Sequence, residues 1–177
     1  KRRKIVAQKR ACGNCTACCK THQVLSIQKE AGQWCQHCAS GVGCRIYDSR
    51  PEECHVFRCQ WLFGYGSVAD RPDTTNVVVD YHKLEITDRM TASLWELEPG
   101  ALESRFAEDQ KQVFFDNRFH VLLVYCDGRQ VLCIPKGTTF FRGVTSKLLE
   151  AGVRIFQYQL LPAQPAAADS YSQVSHG

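Results

Sequence analysis

The sequence predicts an α+β chain in which a small, irregular cysteine-rich module packs on a small mixed domain that contains an antiparallel hairpin. Three observations carry this. Nine of the eleven cysteines fall between positions 12 and 59, in a stretch poor in aliphatic residues. Strand-like runs and a helical stretch share the later part of the chain without regular alternation, which points to α+β rather than a doubly wound sheet. Asp127-Gly128 sits between two apolar runs, a strong hairpin signal.

The elements follow in order. Residues 26–32 suggest a short helix, with Ser26 as N-cap and Gly32 as stop. A second helix is expected from Arg50-Pro51-Glu52-Glu53, since proline suits the first helical position and the glutamates favour the positive end. It would carry Cys54, Phe57 and Trp61 on one face. Residues 76–80 and 84–87 suggest strands. Residues 101–116 suggest a helix with Leu102, Phe106, Val113 and Phe114 near one face. Residues 120–125 and 130–134 form the expected hairpin, and 146–151 a last short helix. The Pro/Ala-rich residues 162–177 read as a flexible tail. The chain thus divides into a module at 11–62, an α+β domain at 72–161 and the tail.

Composition sets outer limits. The 44% hydrophobic and 23% charged content is that of a soluble globular protein. No apolar run approaches the roughly 18 residues of a membrane-spanning helix, so no membrane partner is expected. The net charge of +4 owes much to Lys1, Arg2, Arg3, Lys4, Lys9 and Arg10. Such an arm is either solvated and disordered or a contact for nucleic acid or an acidic protein. The chain opens at Lys1 rather than Met and reads as a fragment, which leaves an upstream targeting segment open.

Cysteine spacing carries the chemistry. Cys12-Gly-Asn-Cys15 and Cys35-Gln-His-Cys38 are two Cys-x-x-Cys pairs with 19 residues between them, the spacing of paired zinc knuckles. Each such turn aims two sulfurs at one point. Cys18 extends the first pair to Cys-x-x-Cys-x-x-Cys, a spacing also used by iron–sulfur proteins. Cys19, Cys44, Cys54 and Cys59 complete the set. Adjacent Cys18 and Cys19 should point apart. On one helix, Cys54 and Cys59 would be roughly 140° apart, so either the helix ends first or they serve different centres. Nine thiolates suit two four-cysteine centres plus a spare thiol, or one polynuclear cluster. Zinc is slightly favoured by spacing, and an iron–sulfur cluster is the alternative, since both take four thiolates.

Blander readings compete. A disulfide framework leaves an unpaired thiol, because both nine and eleven are odd. Cys126 and Cys133 sit among Val, Leu and Ile, as buried unliganded thiols do. His22, His37 and His55 flank cysteines but are surplus as ligands. Trp34, Trp61, Phe63 and Tyr65 are expected to cover the cysteine cluster, or to form a contact patch.

Cys12-x-x-Cys15-x-x-Cys18-Cys19, Gly32-x-Trp34-Cys35-x-x-Cys38, Cys44-Arg-Ile-Tyr47-Asp-Ser-Arg50-Pro51-x-x-Cys54 and Phe57-x-Cys59 together resemble the bacterial CxxCxxCC cysteine-cluster family. The resemblance covers residues 11–62. It implies zinc or iron chelation, a bacterial source, and a place for Tyr47 and Arg50 beside the cluster. It implies no reaction. The leading expectation is a metal-binding protein in a reducing, cytoplasmic compartment, with a structural or sequestering role. Alternatives are an iron–sulfur or metal-dependent redox enzyme, and a zinc-stabilised module that binds nucleic acid or another protein.

Overall fold

The computed structural model describes residues 10–141 and 143–159. The basic arm, apart from Arg10, and the tail at 162–177 lie outside the described residues. The chain is α+β. Its centre is a five-stranded mixed sheet of β3 (Val77–Leu84), β4 (Arg89–Glu96), β5 (His120–Val124), β6 (Gln130–Pro135) and β7 (Val153–Tyr158), in that spatial order. The β3–β4 and β5–β6 pairs are antiparallel; β4–β5 and β6–β7 are parallel. The parallel pairs need crossovers. These are α4 (Arg105–Asp116) and α5 (Val144–Glu150). The hairpin turns at Asp127-Gly128 as the sequence predicts, with Gly128 at φ +88°.

The alternation of strand side chains assigns the two faces of the sheet. Val77, Val79, Leu94, Val121 and Leu123 face α4, whose Ala107 and Phe114 are buried against them. The opposite face is shared. Leu122, Val124, Leu132, Ile134 and Val153 pack under Leu148 of α5. Val78, with Trp95 beside it, instead packs against Ala17, Cys15, Cys59 and Phe57. The cysteine module therefore covers the β3–β4 half of the face whose other half α5 covers.

Several expected elements differ. The helix at 101–116 is a 3₁₀ turn at Ala101–Glu103 and then α4, restarted where the Ser104 side chain accepts from Ala107 N. Leu102 and Phe114 are buried, but Val113 is exposed, on the outer side of α4. Residues 85–88 form the β3–β4 turn rather than a strand. Strands β4 and β7 were not foreseen. The helix expected at 26–32 is a single 3₁₀ turn at Leu25–Ile27. Gln28 then takes a left-handed conformation, so that Lys29 bridges back to Val24.

Candidate metal centre

Short turns position each cysteine. Gly13 at φ +56° lets the chain fold at Cys12–Cys15, where Cys15 N donates to Cys12 O at 3.0 Å. α1 (Ala17–Thr21) follows and carries Cys18 and Cys19. Cys35 N donates to Cys19 O and Cys38 N to Cys35 O, both at 3.0 Å, which seats the second Cys-x-x-Cys turn on α1. A two-stranded ribbon, β1 (Cys38–Ala39) and β2 (Gly43–Cys44), sets Cys38 opposite Cys44. α2 (Glu52–Val56) carries Cys54 and ends before Cys59. Trp61 therefore lies on a separate 3₁₀ turn, Gln60–Phe63, and not on a shared helical face.

Eight of the nine cysteines (Cys12, Cys15, Cys18, Cys19, Cys35, Cys44, Cys54 and Cys59) line one cavity of about 750 Å³. Cys38 is outside that wall, near Thr16 and Cys19. All nine are partly buried free thiols. Cys18 and Cys19 do not diverge fully: the Cys18 thiol lies close enough to raise the Cys19 thiol.

The thiols influence one another as one connected set, with Cys19 acting on Cys12. Cys18, Cys19, Cys35, Cys38, Cys44 and Cys54 influence one another electrostatically. Cys59 neighbours Cys12 and Cys15, and Cys15 and Cys59 pack against the same core residues. Among the described residues no group of three or more His, Cys, Asp or Glu side chains is placed to hold a metal ion. The cavity wall is nonetheless rich in soft, partly buried sulfur, the donor type that zinc and iron–sulfur clusters take.

Burial pushes the Cys12, Cys15, Cys54 and Cys59 thiols up. Burial and nearby Cys19 push Cys38 up to about 11. Hydrogen bonding with Cys18, together with burial, raises Cys19 further still.

The sequence reading missed Lys29. It is 7% exposed, and its ammonium donates to the carbonyls of Lys20, at 2.8 Å, and His22. Burial lowers its pKa, and the thiols of Cys19, Cys35, Cys18 and Cys54 oppose that drop. A buried cation near these thiols favours their thiolate forms. Nothing in its local sequence marks it. Arg50, singled out by the family pattern, lies in the cavity wall with its guanidinium 3.9 Å from the Tyr47 ring centroid. Its Nη1 donates to Tyr47 O, and its charge favours the Cys12 thiolate.

The expected aromatic cover does not form. Trp61 donates to Ser67 O and lies under Arg10, and Tyr65 stacks on Phe114. Trp34 and Phe63 are exposed. Val24, Ile27, Ile46, Phe57 and Leu62 line the cavity instead.

His22 is bound at both ring nitrogens. Nδ1 meets Thr21 Oγ1 at 2.8 Å, and Nε2 meets Asp80 Oδ2 at 2.9 Å. Its ring lies 4.0 Å from that of Phe57 and 4.5 Å from that of Trp95. It is a pin between module and sheet rather than a ligand. Asp80 also accepts from Trp95 Nε1 at 3.3 Å. Its Oδ1 is 3.4 Å from His82 Nδ1 but has no well-directed hydrogen bond. Burial opposes ionisation of Asp80, yet the His22 and His82 partners outweigh it and hold the carboxyl at about 2. Of the two remaining cysteines, Cys133 is buried and Cys126 partly so, and burial pushes Cys133 up to about 11.

Comparison with family models, curated proteins and solved structures returned no match. Among the described residues no helix is long and apolar enough to cross a membrane.

Proposed function

We propose that residues 11–62 form a thiolate metal-binding module of the CxxCxxCC type, in which Cys12, Cys15, Cys18, Cys19, Cys35, Cys38, Cys44, Cys54 and Cys59 chelate zinc or an iron–sulfur cluster. One observation carries the reading: eight of these thiols line a single cavity. Bound metal would supply the folding energy that so few aliphatic residues cannot. The chain's own part is to bring the sulfurs together through short turns, to compensate their charge with Lys29 and Arg50, and to anchor the module on β3 through His22 and Asp80. The role is structural or sequestering, in a reducing compartment such as a bacterial cytoplasm, where free thiols persist.

A second reading, a metal-dependent redox enzyme, is favoured by the cavity itself. Its volume of about 750 Å³ falls within the range of small-molecule sites. The test is anaerobic purification of the full chain followed by a visible spectrum with zinc, iron and sulfide analysis. Colourless protein with zinc supports the structural reading. Brown protein with matching iron and sulfide supports the redox reading. Protein with neither metal, and none taken up on reconstitution, refutes both.

A further inference from the structure

We propose that Cys38 and Cys44 are a redox-active pair, joined under oxidising conditions by a reversible disulfide across the β1–β2 ribbon. The bond stands on the backbone alone; its consequence for the cavity rests on the metal-binding reading above.

The first support is register. Cys38 and Cys44 are directly opposite on antiparallel strands. Arg45 N donates to His37 O at 2.8 Å, on the next rung. Rungs of an antiparallel ladder alternate, so the Cys38–Cys44 rung is one without its own hydrogen bonds. There the Cα atoms lie about 4.5 Å apart, and the two side chains leave the same face. Disulfides need Cα atoms roughly 4.4 to 6.8 Å apart. Among the described residues no other two cysteines are opposite in a ladder. Cys35 is joined to Cys38 by a turn, across which Cα atoms lie as far as about 7 Å apart.

The second support is how the ribbon is held. Val42 N donates to Ala39 O at 2.9 Å and closes the turn. Gly41 N donates to Thr16 Oγ1 at 3.1 Å, and Asn14 Nδ2 to Gly41 O at 3.2 Å. The two cysteines are thus kept opposite by contacts that involve neither sulfur.

The third support is access. Both cysteines are only partly buried, and beyond them Ser40, Gly41 and Val42 are exposed, Val42 at 75%. Side chains at such positions change rotamer quickly, and a small oxidant reaches them from the ribbon's tip.

The oxidant is a low-molecular-weight disulfide such as glutathione disulfide. One protein thiolate attacks a glutathione sulfur, the glutathione S–S bond breaks, and one glutathione thiol leaves. The second protein thiolate attacks the mixed disulfide and releases the other. The two protons of the protein thiols end on the two glutathiones, and the two electrons pass from the protein pair to the glutathione disulfide. Cys44 lines the cavity. The bond therefore turns one thiolate donor of the wall into a neutral disulfide sulfur, and it is the thiolate that ligates metal.

The experiment measures zinc and iron in the full chain, then equilibrates it anaerobically in mixtures of reduced and oxidised glutathione. Unfolding in urea with N-ethylmaleimide already present blocks the free thiols; reduction and iodoacetamide then mark those that were bonded. Cys35, Cys38 and Cys44 share the tryptic peptide 30–45, so fragmentation in the mass spectrometer assigns each label. The expected result is iodoacetamide on Cys38 and Cys44 and maleimide on Cys35, with two of the eleven thiols protected. Excess reduced glutathione should erase the protection, and bound metal should fall as protection rises. No protected pair at any ratio overturns the inference, as does protection of Cys35 with Cys38 or of Cys19 with Cys38. A bond that reduced glutathione leaves intact overturns its reversibility, and a Cys38–Cys44 bond with unchanged metal overturns its effect on the cavity. Protein that carries and takes up no metal refutes the metal-binding reading, and the labels still decide the bond.

Discussion

Asp80→Asn should destabilise the protein by about 2.5 kcal/mol at neutral pH. The carboxyl is held at about 2 against an ordinary 3.8, and each pH unit of displacement corresponds to about 1.4 kcal/mol. The group is buried, so solvent screening takes little from that figure. Because the folded-state pKa is depressed, the stabilisation is present above about pH 4 and is lost as pH falls toward about 2. For a chain of this length, the loss corresponds to about 5–10 °C in Tm. Asparagine keeps the shape and one acceptor for His22 or Trp95, so the substitution tests charge rather than packing. The assay is urea unfolding of wild type and variant, both as purified, at a series of pH values, read as the difference between the two so that acid release of metal, common to both, cancels. The gap should be largest near neutrality, about halve near pH 3 and close as pH falls to about 2. A variant within about 0.5 kcal/mol of wild type at neutrality, or a gap that does not shrink in acid, refutes the assigned role of Asp80.

Other expectations follow from the same geometry. Cys15→Ser and Cys38→Ser should each expose residues 11–62 to limited proteolysis, because a metal-dependent module loses its fold with a ligand; wild-type resistance in both would count against it. Lys29→Met should weaken metal binding by about 10- to 100-fold, the usual effect of removing a partner of the ligand set, measured by chelator competition. Equal affinity would show that Lys29 does not compensate thiolate charge. Cys133 should resist iodoacetamide in the folded protein near pH 8 and react only on unfolding, since burial holds its thiol up at about 11; mass spectrometry of the alkylated peptides reads this out.

What could be read from the sequence was local. Asp127-Gly128 carries its own turn, and Cys-x-x-Cys carries its own convergence. Strand β4 was hidden because Thr91, Ala92, Ser93 and Leu94 are all fully buried. A central strand covered on both faces loses the alternation that marks a half-exposed one, and its small polar residues look like a loop. Lys29 and the His22–Asp80 pair were hidden for another reason. Their roles arise from contacts across the chain, and a lysine in a polar stretch looks the same in sequence whether it faces water or four thiols. The aromatic cover failed similarly: Trp61 and Tyr65 answer to Ser67 and Phe114, which spacing around the cysteines does not reveal.

The pin between His22 and Asp80 spans 58 positions, and synthesis runs in one direction. Every cysteine of the module leaves the ribosome before the strand that buttresses it. At ordinary elongation rates, the interval between His22 and Asp80 is about 3 to 12 seconds. During that time the Cys12–Cys15 and Cys35–Cys38 turns exist without the Val78 wall behind them. Metal capture by the nascent chain and docking on β3 are therefore separated in time, and the thiols stay most open to metal, and to oxidants, before the sheet is complete.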